Sequence, residues 1–227
     1  MITQKYNYLS LRRENTPQGR KYISPTNEKL ASVTTILDAT KSEESKQALN
    51  NWRNRVGHAK AHEITTEASG RGTRMHSWLE KFILNDKLEE PGTNPYSQQS
   101  HKMATNIISC GLSNCSEYYG TEIGLFFQNI YAGTTDLIGI HNNDESIIDF
   151  KQSNKLKKIE WIQDYFLQLT AYGEAHNEMF GSKITKGVIM MSTADLNYQE
   201  FIIEGLEYDK YKDLWWRRVE SYYLKHG

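Results

Sequence analysis

Cysteine is almost missing from this 227-residue chain, which has two, Cys110 and Cys115. Two thiols can neither build a disulfide scaffold nor fill the four positions of an iron–sulfur cluster, and their CGLSNC spacing is not that of a zinc knuckle. They are expected to be reduced thiols of a cytosolic protein. No stretch approaches the roughly 20 apolar residues that a bilayer-spanning helix requires. The opening MITQKYNYLSLRREN lacks the apolar centre of a signal peptide, so no membrane partner is expected. No GxxxxGK[ST] occurs, which excludes a P-loop nucleotide site. Neither sign of charge is in excess, since 27 Lys and Arg meet 28 Asp and Glu for a net of −1. A protein that coats nucleic acid through many phosphate contacts would be more basic. A carboxylate metal site, by contrast, can sit beside a local basic groove inside a neutral total.

What is present is a globular composition. Hydrophobic residues make up 38% and aromatics 11%, with 14 Tyr and 5 Trp, enough for a core and too aromatic for disorder. Pro17 and Gly19 mark a hairpin turn between residues 6–15 and 20–24. SVTTIL at 32–37 is a short β-branched run. Leu49, Trp52, Val56 and Ala59 step along a helix over 45–66, and a second helix is expected from Gly70-Arg71-Gly72 to about residue 84. Pro91, Gly92 and Pro95 lie in a loop, and a third helix covers 98–112. The texture then changes to three strands at 117–127, 130–140 and 145–151, with HNND as the last turn. A helix at 159–180, strands at 184–192 and 198–203 and a helix at 207–225 complete the chain. The order predicts a mixed α/β core behind a helical N-terminal flank, read as one domain over 1–227, with 1–114 the hairpin and flank and 115–227 the catalytic core.

Chemistry concentrates at Gly133-Thr134-Thr135-Asp136 and, one hairpin later, Ile147-Ile148-Asp149-Phe150-Lys151. Side chains alternate along a strand, so Asp149 and Lys151 share a face. The hairpin can bring Asp136 beside Asp149. Two carboxylates suit Mg²⁺ or Mn²⁺, hard ions that take oxygen ligands. The lysine could balance charge, hold an attacking water or stabilise a phosphorane-like transition state. A lone Asp-x-Lys is common surface chemistry, but here it ends an apolar strand, where an unpaired Asp and Lys would be costly. A structural ion pair is the bland alternative.

GTTD, IIDFK and the downstream Gln168-Leu169-Thr170-Ala171-Tyr172 resemble the RecB-type branch of the PD-(D/E)XK nucleases. Within it, SVTTIL and RGTRMHSWLE at 71–80 are similar to the mitochondrial genome maintenance exonucleases and their phage and bacterial relatives. The likeness covers residues 20–180 in order; each motif alone is weak, and five in sequence are specific. It implies a restriction-endonuclease-like core, a mixed central sheet flanked by helices with an N-terminal helical elaboration arching over the site to admit a threaded strand. It also implies Asp136, Asp149 and the Phe150 carbonyl as metal ligands, Lys151 serving the nucleophilic water, His76 as a ligand or orienting group, and Glu122 as a further strand carboxylate. Gln168 and Tyr172, one helical turn apart, would touch DNA or brace the lysine.

Other residues have plainer readings beside functional ones. Ser32 and Thr34 could donate to phosphates or serve strand and N-cap chemistry. Arg71 and Arg74, like Arg12, Arg13, Arg20 and Lys21, could track a strand backbone or face solvent. Lys155, Lys157 and Lys158 directly follow the catalytic strand and are better placed for phosphates. The tryptophans invite base stacking, but most are expected in the core. Glu80, at i+4 from His76, could be a second ligand.

The expectation is a Mg²⁺- or Mn²⁺-dependent DNA exonuclease acting on single-stranded ends in phage or bacterial replication, recombination or repair. One or two metal ions are needed, with neither nucleotide nor iron–sulfur cluster. Replication or recombination proteins are possible partners. The alternatives are a duplex-end 5′–3′ exonuclease of a phage recombination system and a catalytically inactive DNA-binding protein on the same fold. An N-terminus with few arginines and an acidic Glu14 points to a bacterial or phage-infected cytoplasm.

Overall fold

Strand residues in the second half of the chain alternate in the side on which they are buried, and that alternation sets up three layers. The computed structural model describes residues 2–226. Strands β4 (Cys115–Phe127), β5 (Tyr131–His141), β6 (Asp144–Ser153), β7 (Lys186–Thr193) and β8 (Tyr198–Glu204) form the larger part of one mixed sheet. Ile138, Ile147, Ile189 and Met191 pack on one face, against Phe166, Leu169, Trp215 and Val219. These belong to helices α5 (Gln163–Phe180) and α6 (Gly205–His226). Leu137, Ile148, Val188 and Met190 pack on the other face, against Met75, Leu79, Ile83, Met103 and Ile107. Those come from α3 (His58–Asn85) and α4 (Pro95–Cys110). Each fully buried side chain of this kind contributes roughly 1.5–3 kcal/mol, so both helical layers are integral to the fold.

The N-terminal segment contributes more than a flank. Strands β1 (Arg12–Thr16), β2 (Gly19–Ile23) and β3 (Lys29–Ser32) extend the same sheet. β3 joins it by a short parallel pairing, Ala31 to Tyr131 and Ser32 to Ala132. β6 pairs with the same edge of β5 further along, from Leu137↔Ile148 to His141↔Asp144, while β4 occupies the opposite edge. Residues 133–136 of β5 therefore lie on an open stretch of edge between β3 and β6. The site forms at this gap.

Several boundaries differ from the sequence reading, among them Pro95, expected in a loop, which opens α4, where its missing N–H costs no helical hydrogen bond. The helical break falls at Gly57, not at residues 67–70. α2 (Glu43–Val56) ends there, and Gly57 turns the chain with φ +84°, a conformation glycine adopts without strain. α3 then runs unbroken through Gly70 and Gly72, because its buried anchors on either side outweigh the roughly 1 kcal/mol cost of a helical glycine. SVTTIL, for which strand and N-cap chemistry were both open, takes the N-cap form. Ser32 ends β3 and caps α1 (Val33–Ala39), its Oγ accepting the Thr35 N–H at 3.0 Å. α5 begins at Gln163, preceded by a 3₁₀ turn at Ile159–Trp161. The HNND turn holds Asn142 and Asn143 at positive φ, as a tight hairpin demands.

Both cysteines are free. Among the described residues, no helix is long and apolar enough to cross a membrane.

Candidate active site

Leu137↔Ile148 is the last paired position between β5 and β6. One step further, Asp136 and Asp149 would face each other, and here the strands part. Oδ2 of Asp136 accepts the Phe150 N–H at 2.7 Å, so a side chain takes the place of the next strand-to-strand bond. Strand parity turns Asp149 and Lys151 toward α5. There the Lys151 ammonium pairs with Oδ2 of Asp149 and donates to Oε1 of Gln168 at 3.3 Å. The Gln168 amide donates to Oδ1 of Asp149 at 3.2 Å and lies 3.2 Å from the Tyr172 hydroxyl. Gln168 thus bridges lysine, aspartate and tyrosine. Gly133 makes room for this bridge, because a Cβ there would stand 2.5 Å from the Tyr172 ring.

Two further elements reach the same point. His76, on α3, places Nδ1 3.4 Å from Oδ1 of Asp136. Glu122, on β4, lies between Thr121 and Ile123, which pair with Leu137 and Thr135, and so sits opposite Asp136. Its backbone is left-handed, φ +53°, an uncommon conformation for glutamate and one that collects at functional sites. Ligand atoms of His76, Glu122 and Asp136 all lie within 4.8 Å of one another. Two carboxylates and an imidazole at that spacing fit a divalent ion such as Mn²⁺ or Mg²⁺. Asp149 stands outside this trio, its Oδ1 accepting from Gln168 and its buried Oδ2 ion-paired with Lys151 but without a hydrogen-bond donor of its own.

The charges are strongly coupled. Burial disfavours the His76 imidazolium, but Asp136 outweighs it and raises the pKa to about 9. Burial, reinforced by Asp136, raises Glu122 to about 7. Burial also lifts Asp149 to about 6, against the pull of Lys151. Burial would raise Asp136 as well, yet His76, Lys151 and the Phe150 N–H hold it below its ordinary value. Burial opposes the Lys151 charge, but Asp149 and Asp136 keep its pKa above the ordinary value. His76, Glu122 and Asp149 therefore hold their protons to higher pH than usual.

These groups line a cavity of about 520 Å³ that also takes in Ser32, Thr34 and Glu80. Ser32 is buried and committed to the α1 cap, while Thr34 remains at the wall. Two arginines expected at DNA have side chains engaged outside this cavity. Arg71 is 5% exposed and uses its guanidinium to hold Gln152 and Asn154. Arg74 packs over the Tyr96 ring on the α4 side. Lys155 is exposed on the loop after β6, close in sequence to Trp161, which is 64% exposed rather than in the core. Trp215, by contrast, is fully buried. Tyr22 was not singled out from the sequence, although it lines the cavity and its hydroxyl lies 3.0 Å from that of Thr134. Its place depends on β3 docking beside β5, a contact about 100 residues away in sequence with no local signature.

Fold and site together define an α/β protein with a buried acid–lysine centre beside a carboxylate–histidine group that could hold a metal ion. No family model and no curated protein matches the sequence. Among solved structures, the chain is similar to a candidate exonuclease from Eubacterium rectale, with 16% identity and a TM-score of 0.48. That match covers 68% of this chain and 64% of the other, less than two thirds of its length. A second likeness, to the protein SSO0001, has 17% identity and a TM-score of 0.33, covering 67% of this chain and 84% of the other. At these scores neither likeness bears on function, which is argued below from the chain's own residues.

Proposed function

We propose that this protein is a divalent-metal-dependent deoxyribonuclease of the PD-(D/E)XK class, of RecB type, that hydrolyses phosphodiester bonds at single-stranded DNA ends. The observation that carries the reading is the convergence of Asp136, Asp149 and Lys151 where β5 and β6 part, with His76 and Glu122 arriving from two other elements. His76, Glu122 and Asp136 would hold the ion, with Asp149 and the Phe150 carbonyl as further oxygen donors. A divalent ion there supplies Lewis-acid charge toward a phosphoryl oxygen and the attacking water. Lys151 orients that water and offsets negative charge developing on phosphorus. Gln168 holds the Lys151 ammonium in place, and Tyr172 fixes Gln168. Thr34 and Lys155 are offered as phosphate contacts, Thr34 at the cavity wall and Lys155 on the exposed loop after β6. Ser32, Arg71 and Arg74 are taken as supports of the surrounding elements.

The preference for single strands and the setting, replication, recombination or repair in a bacterial or phage-infected cytoplasm, are supported by the ordered motifs from SVTTIL to Gln168 and Tyr172. The test uses end-labelled DNA and RNA oligonucleotides, single-stranded and duplex, with Mg²⁺ or Mn²⁺ and with EDTA. Progressive shortening of single-stranded DNA that EDTA abolishes is the expected result. Folded protein that binds DNA but cleaves nothing under either metal would overturn the enzyme reading in favour of an inactive binding protein.

A further inference from the structure

The β1–β2 hairpin has two chemically different faces. From the register Arg13↔Tyr22 and Asn15↔Arg20, Arg13, Asn15, Arg20 and Tyr22 share one face, and Arg12, Glu14 and Lys21 share the other. On the outer face, Glu14 takes Arg12 at 3.1 Å and Lys29 at 3.2 Å. On the inner face, neither Arg13 nor Arg20 has a carboxylate within 4.0 Å among the described residues, and both line the catalytic cavity. On the outer face one carboxylate serves both Arg12 and Lys29 and leaves Lys21 without a carboxylate within 4.0 Å among the described residues, so what sets the inner face apart is its place on the cavity wall.

The inner face is also held in place. The Tyr22 hydroxyl lies 3.0 Å from that of Thr134 on β5, and the Thr35 hydroxyl donates to the Arg20 carbonyl at 3.0 Å. Gly19, at φ +113°, lets the turn sit against Thr35. Both arginines thus project from a backbone anchored to the site, and less freedom is lost when they bind.

Charge balance gives them a task. The cavity contains four carboxylates, Glu80, Glu122, Asp136 and Asp149, and one lysine, Lys151. Apart from Arg13 and Arg20 the titratable lining is therefore predominantly acidic, and the two arginines are the cations on the hairpin wall that offset it. Guanidinium groups also match phosphate oxygens in bidentate geometry.

The geometry points to Arg13 and Arg20 as a phosphate clamp that grips the DNA backbone beside the scissile bond from the wall formed by the hairpin. This rests on the nuclease reading and adds the residues that select a polyanionic strand. The clamp binds substrate and transition state alike, so its loss raises KM and leaves kcat nearly unchanged.

The test compares Arg13→Gln, Arg20→Gln and, as the matched control, Arg12→Gln. Steady-state cleavage of a single-stranded oligonucleotide is measured for each. Binding of the same labelled oligonucleotide is followed against salt in a Lys151→Ala background. Each inner-face change should raise KM about tenfold with kcat within about threefold, and reduce the salt slope of log K by about 0.7–1. Arg12→Gln should match the parent in both. Arg13→Lys should recover part of the affinity, which a folding defect at the hairpin would not allow. If the parent cleaves DNA but Arg13→Gln and Arg20→Gln behave like Arg12→Gln, the clamp is wrong and the nuclease stands. If the parent neither cleaves nor binds, the nuclease reading fails first.

Discussion

The carboxylate of Asp136 accepts the Phe150 N–H at 2.7 Å through Oδ2 and places Oδ1 3.4 Å from His76 Nδ1, so one residue both closes the β5–β6 ladder and belongs to the candidate metal group. These two duties separate chemically. Asp136→Asn retains an acceptor for the amide, whereas Asp136→Ala leaves a buried N–H without a partner, at a cost of roughly 1–3 kcal/mol. Urea denaturation should show Asp136→Asn within about 1 kcal/mol of the parent and Asp136→Ala clearly destabilised. Cleavage should fall at least about a hundredfold in both. Full activity in Asp136→Asn would remove Asp136 from the ligand set.

Metal binding should compete with protons. His76 is raised to about 9 and Glu122 to about 7 in the metal-free chain, and both must release protons to act as ligands. Mn²⁺ affinity should therefore climb as pH rises from 6 to 8, by about tenfold per pH unit for each proton displaced. Calorimetry in two buffers of different ionisation enthalpy counts those protons. An affinity independent of pH would show that His76 is not a ligand.

A separate pH effect should come from His176, which does not line the candidate active-site cavity. It is fully buried, with Nε2 3.1 Å from the Tyr8 hydroxyl and Nδ1 2.6 Å from Ser182 Oγ. Burial lowers its pKa from 6.5 to about 4. Between those values the unfolded chain binds a proton and the folded chain does not. The contribution is therefore fully present above pH 6.5 and lost as pH falls toward 4, up to roughly 3 kcal/mol. Urea midpoints at pH 7.5 and pH 5 should show the loss, and His176→Gln should shrink the difference. An unchanged difference in that variant would assign the effect to other groups.

The sequence made the local part of the site legible. Asp149 and Lys151 follow from strand parity and Asp136 from one hairpin, while Gln168 and Tyr172 came from the family likeness, with one helical turn showing that both could face the site. His76 and Glu122 were suggested only by likeness to a motif, since a helix and a bulged strand bring them to Asp136. The left-handed backbone of Glu122 has no signature at that position. Arg71 misled because its motif looked like a phosphate contact, while packing turned it inward to Gln152 and Asn154. Arg13 and Arg20 read as a solvated charge run, and only the register Arg13↔Tyr22, with Tyr22 anchored at Thr134, separates the inner face from the outer. Periodicity placed most elements correctly. It failed at Gly57, where one glycine conformation decided the outcome, while at SVTTIL the serine cap decided between the strand and N-cap readings left open.

The most direct measurement is single-turnover cleavage of a single-stranded oligonucleotide by the parent and by Lys151→Ala, alongside Mn²⁺ affinity of both. The account predicts cleavage reduced by about 10²–10³-fold or more, with metal affinity within a few-fold of the parent, because Lys151 acts on the reacting phosphate and is not a ligand. Cleavage at the parental rate by folded, metal-loaded Lys151→Ala would contradict it.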